Sequence, residues 1–376
     1  MKKKITLTSF LSVFGLTLFP HAGCKHSSGM DRESKAKMKE FGNLMKKKGI
    51  SHIYFVHGTW AGDSPLGVIE TMEKIHVGDM RKIFNFDTNI LKDKIKKVVD
   101  EVYKDLGNFT PNYLKLFAEL VGNNIACESI IWGSANYHEA RVLGAIELIK
   151  KVAKNINNLS ENERILLIGH SHAGQLFALL TKFLEDEEMS LLNKNENKSM
   201  LEKLVKVVGL FGYENVLQIR EDMKKINKVY LDFVTLGTPP RYQWGKGEGE
   251  KYQLLNIIND YHLNKLISVK GVLETKDGDY IQQWGIGGTD AFHDNNEYIE
   301  NIIGQEQYYI SKGDFSPGKE RHLPKHGDVP YGKTLLIPYK KEKKYCWDTL
   351  LGHGLYTLEE NMLLNTEIIV NEFYKN

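Results

Sequence analysis

Ser171 lies inside Gly169-His170-Ser171-His172-Ala173-Gly174, directly after the apolar run Ile165-Leu166-Leu167-Ile168. A helical pattern starts near Gln175. Small residues two before and two after a serine let a strand turn sharply into a helix and expose the hydroxyl. The N-terminus of that helix favours developing negative charge. The segment therefore predicts a nucleophilic serine; its plainer reading is a polar residue in a βα turn.

A second segment completes this chemistry. Phe55-Val56-His57-Gly58-Thr59-Trp60-Ala61-Gly62 follows the first apolar strand. A glycine-containing loop there can turn backbone N–H groups towards the serine. Acyl transfer needs two such donors where a carbonyl oxygen becomes an oxyanion. The candidates are the N–H groups of Thr59 and His172. The His57 side chain is expected to brace the loop.

Together with Trp132-Gly133-Ser134-Ala135-Asn136 and Leu236-Gly237-Thr238-Pro239, these segments resemble the α/β-hydrolase superfamily, in particular its lipase- and esterase-like members. The resemblance covers roughly residues 51–374. It implies a Ser–acid–His triad read in that order along the chain. His353, in Leu350-Leu351-Gly352-His353-Gly354, follows the last strand pattern and precedes the final helix, where the family keeps its base. Imidazole suits the role because it takes and returns a proton near neutrality. The acid accepts the imidazole N–H and fixes its tautomer. Asp279 leads, because Asp279-Tyr280-Ile281 resembles the family's Asp-x-hydrophobic loop. Asp277, Asp290 and Asp328 remain alternatives, each with a plain reading as a turn residue.

Other chemistry fits poorly. His170 and His172 form a His-x-His pair, but alternate positions in a tight turn point apart and no further ligands stand at metal-site spacing, so no metal is expected. Gly285-Ile286-Gly287-Gly288 lacks the helix and acidic partner of a dinucleotide site, so no cofactor is expected. His293, His322 and His326 read as surface or local structure.

The elements that must position these residues alternate between short strands and longer helices. Strands are expected at 52–56, 129–132, 165–168, 229–235, 266–273 and 334–338. Leu91, Ile95, Val98, Val99, Val102 and Leu106 share one helix face, as do Val142, Ala145, Ile146, Ile149, Val152 and Ala153. Thr357 and Glu360 have capping-box spacing before the last helix. The expected class is α/β: a mostly parallel central sheet with helices on both faces. The stretches 75–125, 186–226 and 245–262 exceed ordinary connections and read as helical insertions. In the second, Met200, Leu201, Leu204, Val205 and Val208 form a stripe that either packs on the core or lines a lid over an apolar cleft.

The first 23 residues read differently. Met1-Lys2-Lys3-Lys4 precedes an uncharged run to Phe19, the pattern of an export signal. That run is shorter than the ~20 residues of a spanning helix. Ala22-Gly23-Cys24 resembles the lipobox of bacterial lipoproteins, which implies cleavage before Cys24 and its lipidation. Plain signal cleavage and an uncleaved anchor are the alternatives. Residues 24–50 are polar and Lys-rich and read as a tether, followed by one domain over 51–376. Cys127 and Cys346 are the other two thiols and could pair outside the cytoplasm.

The chain has 376 residues with 50 Lys+Arg against 48 Asp+Glu, a net charge of +2. The leader carries three Lys and no acid, so its removal leaves −1. That balance argues against a nucleic-acid partner. The expected partners are a small-molecule or lipid ester and, through the lipid anchor, a membrane. The expected function is an exported serine hydrolase of carboxylic esters. The alternative is a surface lipoprotein that binds a ligand or partner on the same scaffold without turnover.

Overall fold

The computed structural model describes residues 30–59, 61–64, 88–156, 163–192, 199–210, 213–239, 241–246, 251–259, 278–279, 281–282, 293–304, 332–339 and 352–375. In chain order the elements are α1 (Arg32–Lys47), β1 (Ile50–Val56), α2 (Thr88–Tyr103), α3 (Pro111–Leu120), β2 (Ala126–Ile130), α4 (His138–Ile156), β3 (Arg164–His170), α5 (Ala173–Leu192), α6 (Met200–Val207), α7 (Tyr213–Ile226), β4 (Tyr230–Leu236), β5 (Tyr252–Asn259), α8 (Asn296–Ile303), β6 (Gly332–Ile337) and α9 (Met362–Phe373). Two 3₁₀ turns, Leu355–Thr357 and Glu359–Asn361, lead into α9.

The strands form one sheet in the order β2-β1-β3-β4-β5-β6, with every neighbouring pair parallel. Parallel strands are covered on both faces, so they read as continuous apolar runs. β1 shows why: Tyr54 and Val56 enter the core with α4, α5, α6 and α7, while Ile53 and Phe55 enter the opposite core with α1, α3 and α9. The α/β class with helices on both faces is thus observed. The second helix stripe read from sequence is buried as expected, with Val142, Ala145, Ile149, Val152 and Ala153 fully enclosed.

Several expectations need correction. The tether reading fails over 32–47, which is helix α1. Its Met38, Phe41 and Met45 are buried against α9, α3 and β1. Those three residues are spaced as one helix face, and the surrounding lysines on the opposite face hid the stripe. The insertion reading also fails at 252–259, which is β5, paired between β4 and β6. Polar residues masked it. Asn256 is buried inside the strand and accepts a hydrogen bond from Thr235 at 2.5 Å, so its polarity is satisfied within the sheet. The strand expected at 266–273 lies outside the described residues. β2 starts at Ala126, three residues before the expected strand.

Helix faces and caps also differ in detail. Val102 on α2 is exposed, whereas Lys96 is buried beside Asp100 and Asn108, so the buried face is rotated from the apolar stripe. The capping box at Thr357 does not form: its hydroxyl donates to Asp105 O and accepts the Gly107 N–H at 2.7 Å, and Asn361 occupies the N-cap position of α9. The stripe on α6 is core and not a lid lining. Leu201, Leu204, Val205 and Val208 are buried where α6 meets α5, α7 and α8.

Candidate active site

Ser171 occupies the turn between β3 and α5 with φ of 54°, a left-handed conformation that side chains rarely adopt. Neighbouring strands hold it there. Its N–H donates to Leu236 O at 2.9 Å, and its carbonyl accepts from Thr238 Oγ1 at 2.7 Å. The Leu236–Pro239 segment therefore backs the turn from β4. A Cβ added at Gly169 would lie 2.9 Å from Ala173 Cβ and 2.6 Å from the Phe177 ring. The residues two before and two after the serine touch, so alanine fits at 173 only because 169 is glycine.

The loop after β1 lies against this turn. A Cβ on Gly58 would stand 2.8 Å from Ser171 Cβ and 2.9 Å from His170 Nδ1. Thr59 Oγ1 hydrogen-bonds His172 Nδ1, so the two segments expected to supply oxyanion donors meet. His57 is locked from both sides. Its Nδ1 reaches Gly58 O at 3.0 Å, and its Nε2 lies 3.3 Å from the Trp132 N–H. Trp132 stacks on the His57 ring and donates its indole N–H to His57 O at 2.9 Å. Burial, with the Lys96 charge adding to it, pushes His57 down to about 3. A neutral imidazole that accepts at Nε2 must carry its proton on Nδ1, which suits a brace. Ser134 Oγ accepts the Gly62 N–H at 2.8 Å and ties the same loop to the end of β2.

The candidate base and acid, His353 and Asp279, come from the β5–β6 end of the strand order. Asp279 has no exposed surface, and its N–H donates to Asn259 O, the last residue of β5, at 2.9 Å. Its Oδ2 accepts from His353 Nδ1 at 2.7 Å and from the Tyr356 hydroxyl at 2.9 Å, while Oδ1 accepts the Gln282 N–H at 2.8 Å. The pairing fixes His353 with its proton on Nδ1 and leaves Nε2 as the basic atom. His353 is buried beyond β6, and its ring centroid lies 4.5 Å from that of His170, the residue before Ser171. His170 donates from Nε2 to His353 O at 2.8 Å. Burial, then the neighbouring His353, holds His170 well below the usual imidazole range, so it is neutral. Among the described residues, the Ser171 hydroxyl makes no hydrogen bond to His353; such bonds are often loose before substrate binds.

Ser171, Asp279, His353, Thr59 and His172 gather at the C-terminal edge of the sheet. Asp277, Asp290, Asp328, His322, His326, Cys24 and Cys346 lie outside the described residues. His293 is elsewhere, stacked on Tyr137 at 4.4 Å and 3.6 Å from Glu139. Cys127 is a free thiol on β2 that burial raises to about 12. His170 and His172 face different partners, His353 O and Thr59. Among the described residues, no three His, Cys, Asp or Glu side chains gather as metal ligands. No described helix is long and apolar enough to cross a membrane.

Sequence reasoning missed three residues here: Asn259, Tyr356 and the supporting role of His170. Tyr356 carried a faint signal, since it stands three residues after His353 and a tight turn brings such positions to one side. Asn259 carried none. In comparisons with known proteins, no family model matches this chain, and neither does any curated protein or solved structure.

Proposed function

We propose that this chain is a serine hydrolase of carboxylic esters built on the α/β-hydrolase fold. The observation that carries the reading is the convergence of Ser171, strained at a strand–helix turn, with a buried Asp279–His353 pair beside it. Sheet order supports it: the serine follows β3, the acid stands at the end of β5 and the base follows β6.

In this reading Ser171 Oγ attacks the ester carbonyl as His353 Nε2 takes its proton. Asp279 holds the Nδ1 proton and stabilises the imidazolium. The N–H groups of Thr59 and His172 receive the oxyanion. His353 then protonates the leaving alkoxide, which departs and leaves an acyl-serine. Water deprotonated by His353 attacks that ester, and Ser171 regains its proton as the acid is released. The substrate class is a lipid or another small acyl ester, and no cofactor takes part. The chain is exported and held at a membrane through lipidated Cys24.

A fluorophosphonate probe tests the chemistry. It should label the full chain, and Ser171→Ala should abolish the label. A folded wild type that stays unlabelled would favour the second reading, a non-catalytic lipoprotein on this scaffold. The missing Ser171–His353 hydrogen bond is the observation on that side. Palmitate incorporation that survives Cys24→Ser would remove the anchor.

A further inference from the structure

We propose that Tyr356 is a positioning residue that sets the strength of the Asp279–His353 hydrogen bond. The inference rests on the hydrolase reading for its catalytic consequence, and on geometry for the rest. Three observations carry it. First, Tyr356 and His353 donate to the same oxygen, Asp279 Oδ2, at 2.9 and 2.7 Å. Two donors on one carboxylate oxygen compete: each draws density that the other would use, whereas donors in a chain reinforce one another. Second, the hydroxyl is itself fixed. It accepts the Asn259 N–H at 2.7 Å, so its one proton is directed at Asp279. Third, nothing can slide. Tyr356 is fully buried, its ring lies edge-on to Tyr339 at 5.0 Å, and a Cβ on Gly237 would come within 2.5 Å of it and 2.6 Å of Asp279 Oδ2. Gly237, with φ of 62°, is the one residue that leaves room for both.

Burial, then the adjacent Asp279, keeps the Tyr356 phenol well above its ordinary range, so it stays a neutral donor at any working pH. Among the described residues, the titratable groups that face His353 are Asp279, the neutral His170 and Tyr356. The tyrosine thus tempers how strongly the acid can hold an imidazolium. It also holds Oδ2 in line with the imidazole Nδ1.

The experiment uses the full chain with two changes at one position. Tyr356→Phe deletes the hydroxyl. Site-specific fluorotyrosine at 356 keeps the shape and makes a stronger donor, which covers the case in which the phenylalanine variant folds poorly. The readout is the downfield proton resonance of His353 Nδ1–H. It should move further downfield in Tyr356→Phe and upfield with fluorotyrosine. The acid limb of the pH–kcat/KM profile should move to higher pH in Tyr356→Phe, because the freed carboxylate oxygen holds the imidazolium more strongly. A purely structural tyrosine would leave resonance and limb unmoved, and that result in a fluorophosphonate-labelled wild type overturns the proposal while the hydrolase reading stands. An unlabelled wild type whose resonance still moves overturns the hydrolase reading instead, and leaves Tyr356 in control of the pair.

Discussion

Asp232 and Asp279 are both carboxylates with no exposed surface, and they stand at opposite ends of the same sheet. Their surroundings are built alike. Asp232, near the start of β4, accepts two hydrogen bonds from Arg164 at the start of β3, at 2.9 and 2.5 Å, and one from the Tyr374 hydroxyl at 2.8 Å. Asp279, at the end of β5, accepts from His353 and from the Tyr356 hydroxyl. In each case a tyrosine shares Oδ2 with a side-chain nitrogen, Arg164 Nε or His353 Nδ1. The partners differ in one property. A guanidinium keeps its proton at any working pH, so the Asp232 pair is a fixed bolt. An imidazole can give its proton up, so the Asp279 pair can pass one on. The same buried motif is structural at one edge of the sheet and suited to chemistry at the other.

Crossed substitutions separate the two carboxylates most directly. Asp279→Asn should lower kcat for ester hydrolysis by ~10⁴, the scale of a triad acid's loss. The unfolding free energy should change by only about 1 kcal/mol, because the asparagine amide removes the buried carboxylate charge and can still hydrogen-bond His353 Nδ1 through its oxygen. Arg164→Met should do the reverse. It strands the buried Asp232 and should cost about 3–5 kcal/mol in urea unfolding, with kcat of the folded protein within about threefold of wild type. If both variants lost stability alike and activity alike, the two pairs would be one kind of object.

Acid titration separates the two further, since the Arg164 guanidinium, raised against burial by its Asp232 partner, keeps its proton throughout. At the Ser171 edge burial depresses two imidazoles, His57 and His170. His57 is held at about 3 against 6.5 when free. The unfolded chain therefore takes up a proton as pH falls below about 6.5, and the folded chain does not until about 3. Stability is full above that window and falls within it. Between pH 7 and 5, His57 alone accounts for a loss of about 2 kcal/mol. His170, depressed by the same burial, adds in the same direction. Urea melts at the two pH values measure this, and His57→Gln should flatten the dependence. A dependence unchanged in that variant would move the effect to other groups.

The two halves of the site were not equally legible. The nucleophile half is short-range. A strand, a small residue, Ser171, Ala173 and a helix lie within about ten residues, and steric contact between positions 169 and 173 dictates the pattern. The acid–base half is assembled by hydrogen bonds between β5, Asp279 and Gly352–Tyr356, across as many as 97 residues of chain. Such contacts leave no periodicity. Asp279 and His353 were reached through a family resemblance in motif order, and the strand that feeds the acid was misread because its Gln253, Asn256 and Asn259 broke the apolar run. Helix α1 was lost for a related reason: three buried residues among lysines look like a tether until a partner surface is known.

Asn259 shows what that long-range half depends on, and it gives the smallest expected effect. It uses every polar group it has. Its N–H goes to Tyr356 Oη at 2.7 Å, and its carbonyl receives the Asp279 N–H at 2.9 Å. Its Nδ2 donates to Gly352 O at 3.2 Å, and its Oδ1 accepts the Tyr339 N–H at 3.3 Å. The backbone bonds orient Asp279, and the side chain ties down the segment that carries His353. Asn259→Ala keeps the first set and deletes the second. The base segment should loosen while the serine turn, which Asn259 does not touch, keeps its geometry. The expected result is a drop of about tenfold in kcat, with KM within about twofold, the pattern of a residue that acts only through the base. The fluorophosphonate labelling rate should fall by the same factor, since that reaction also needs the base. A rise in KM with kcat unchanged would place Asn259 with substrate binding and not with the acid–base half.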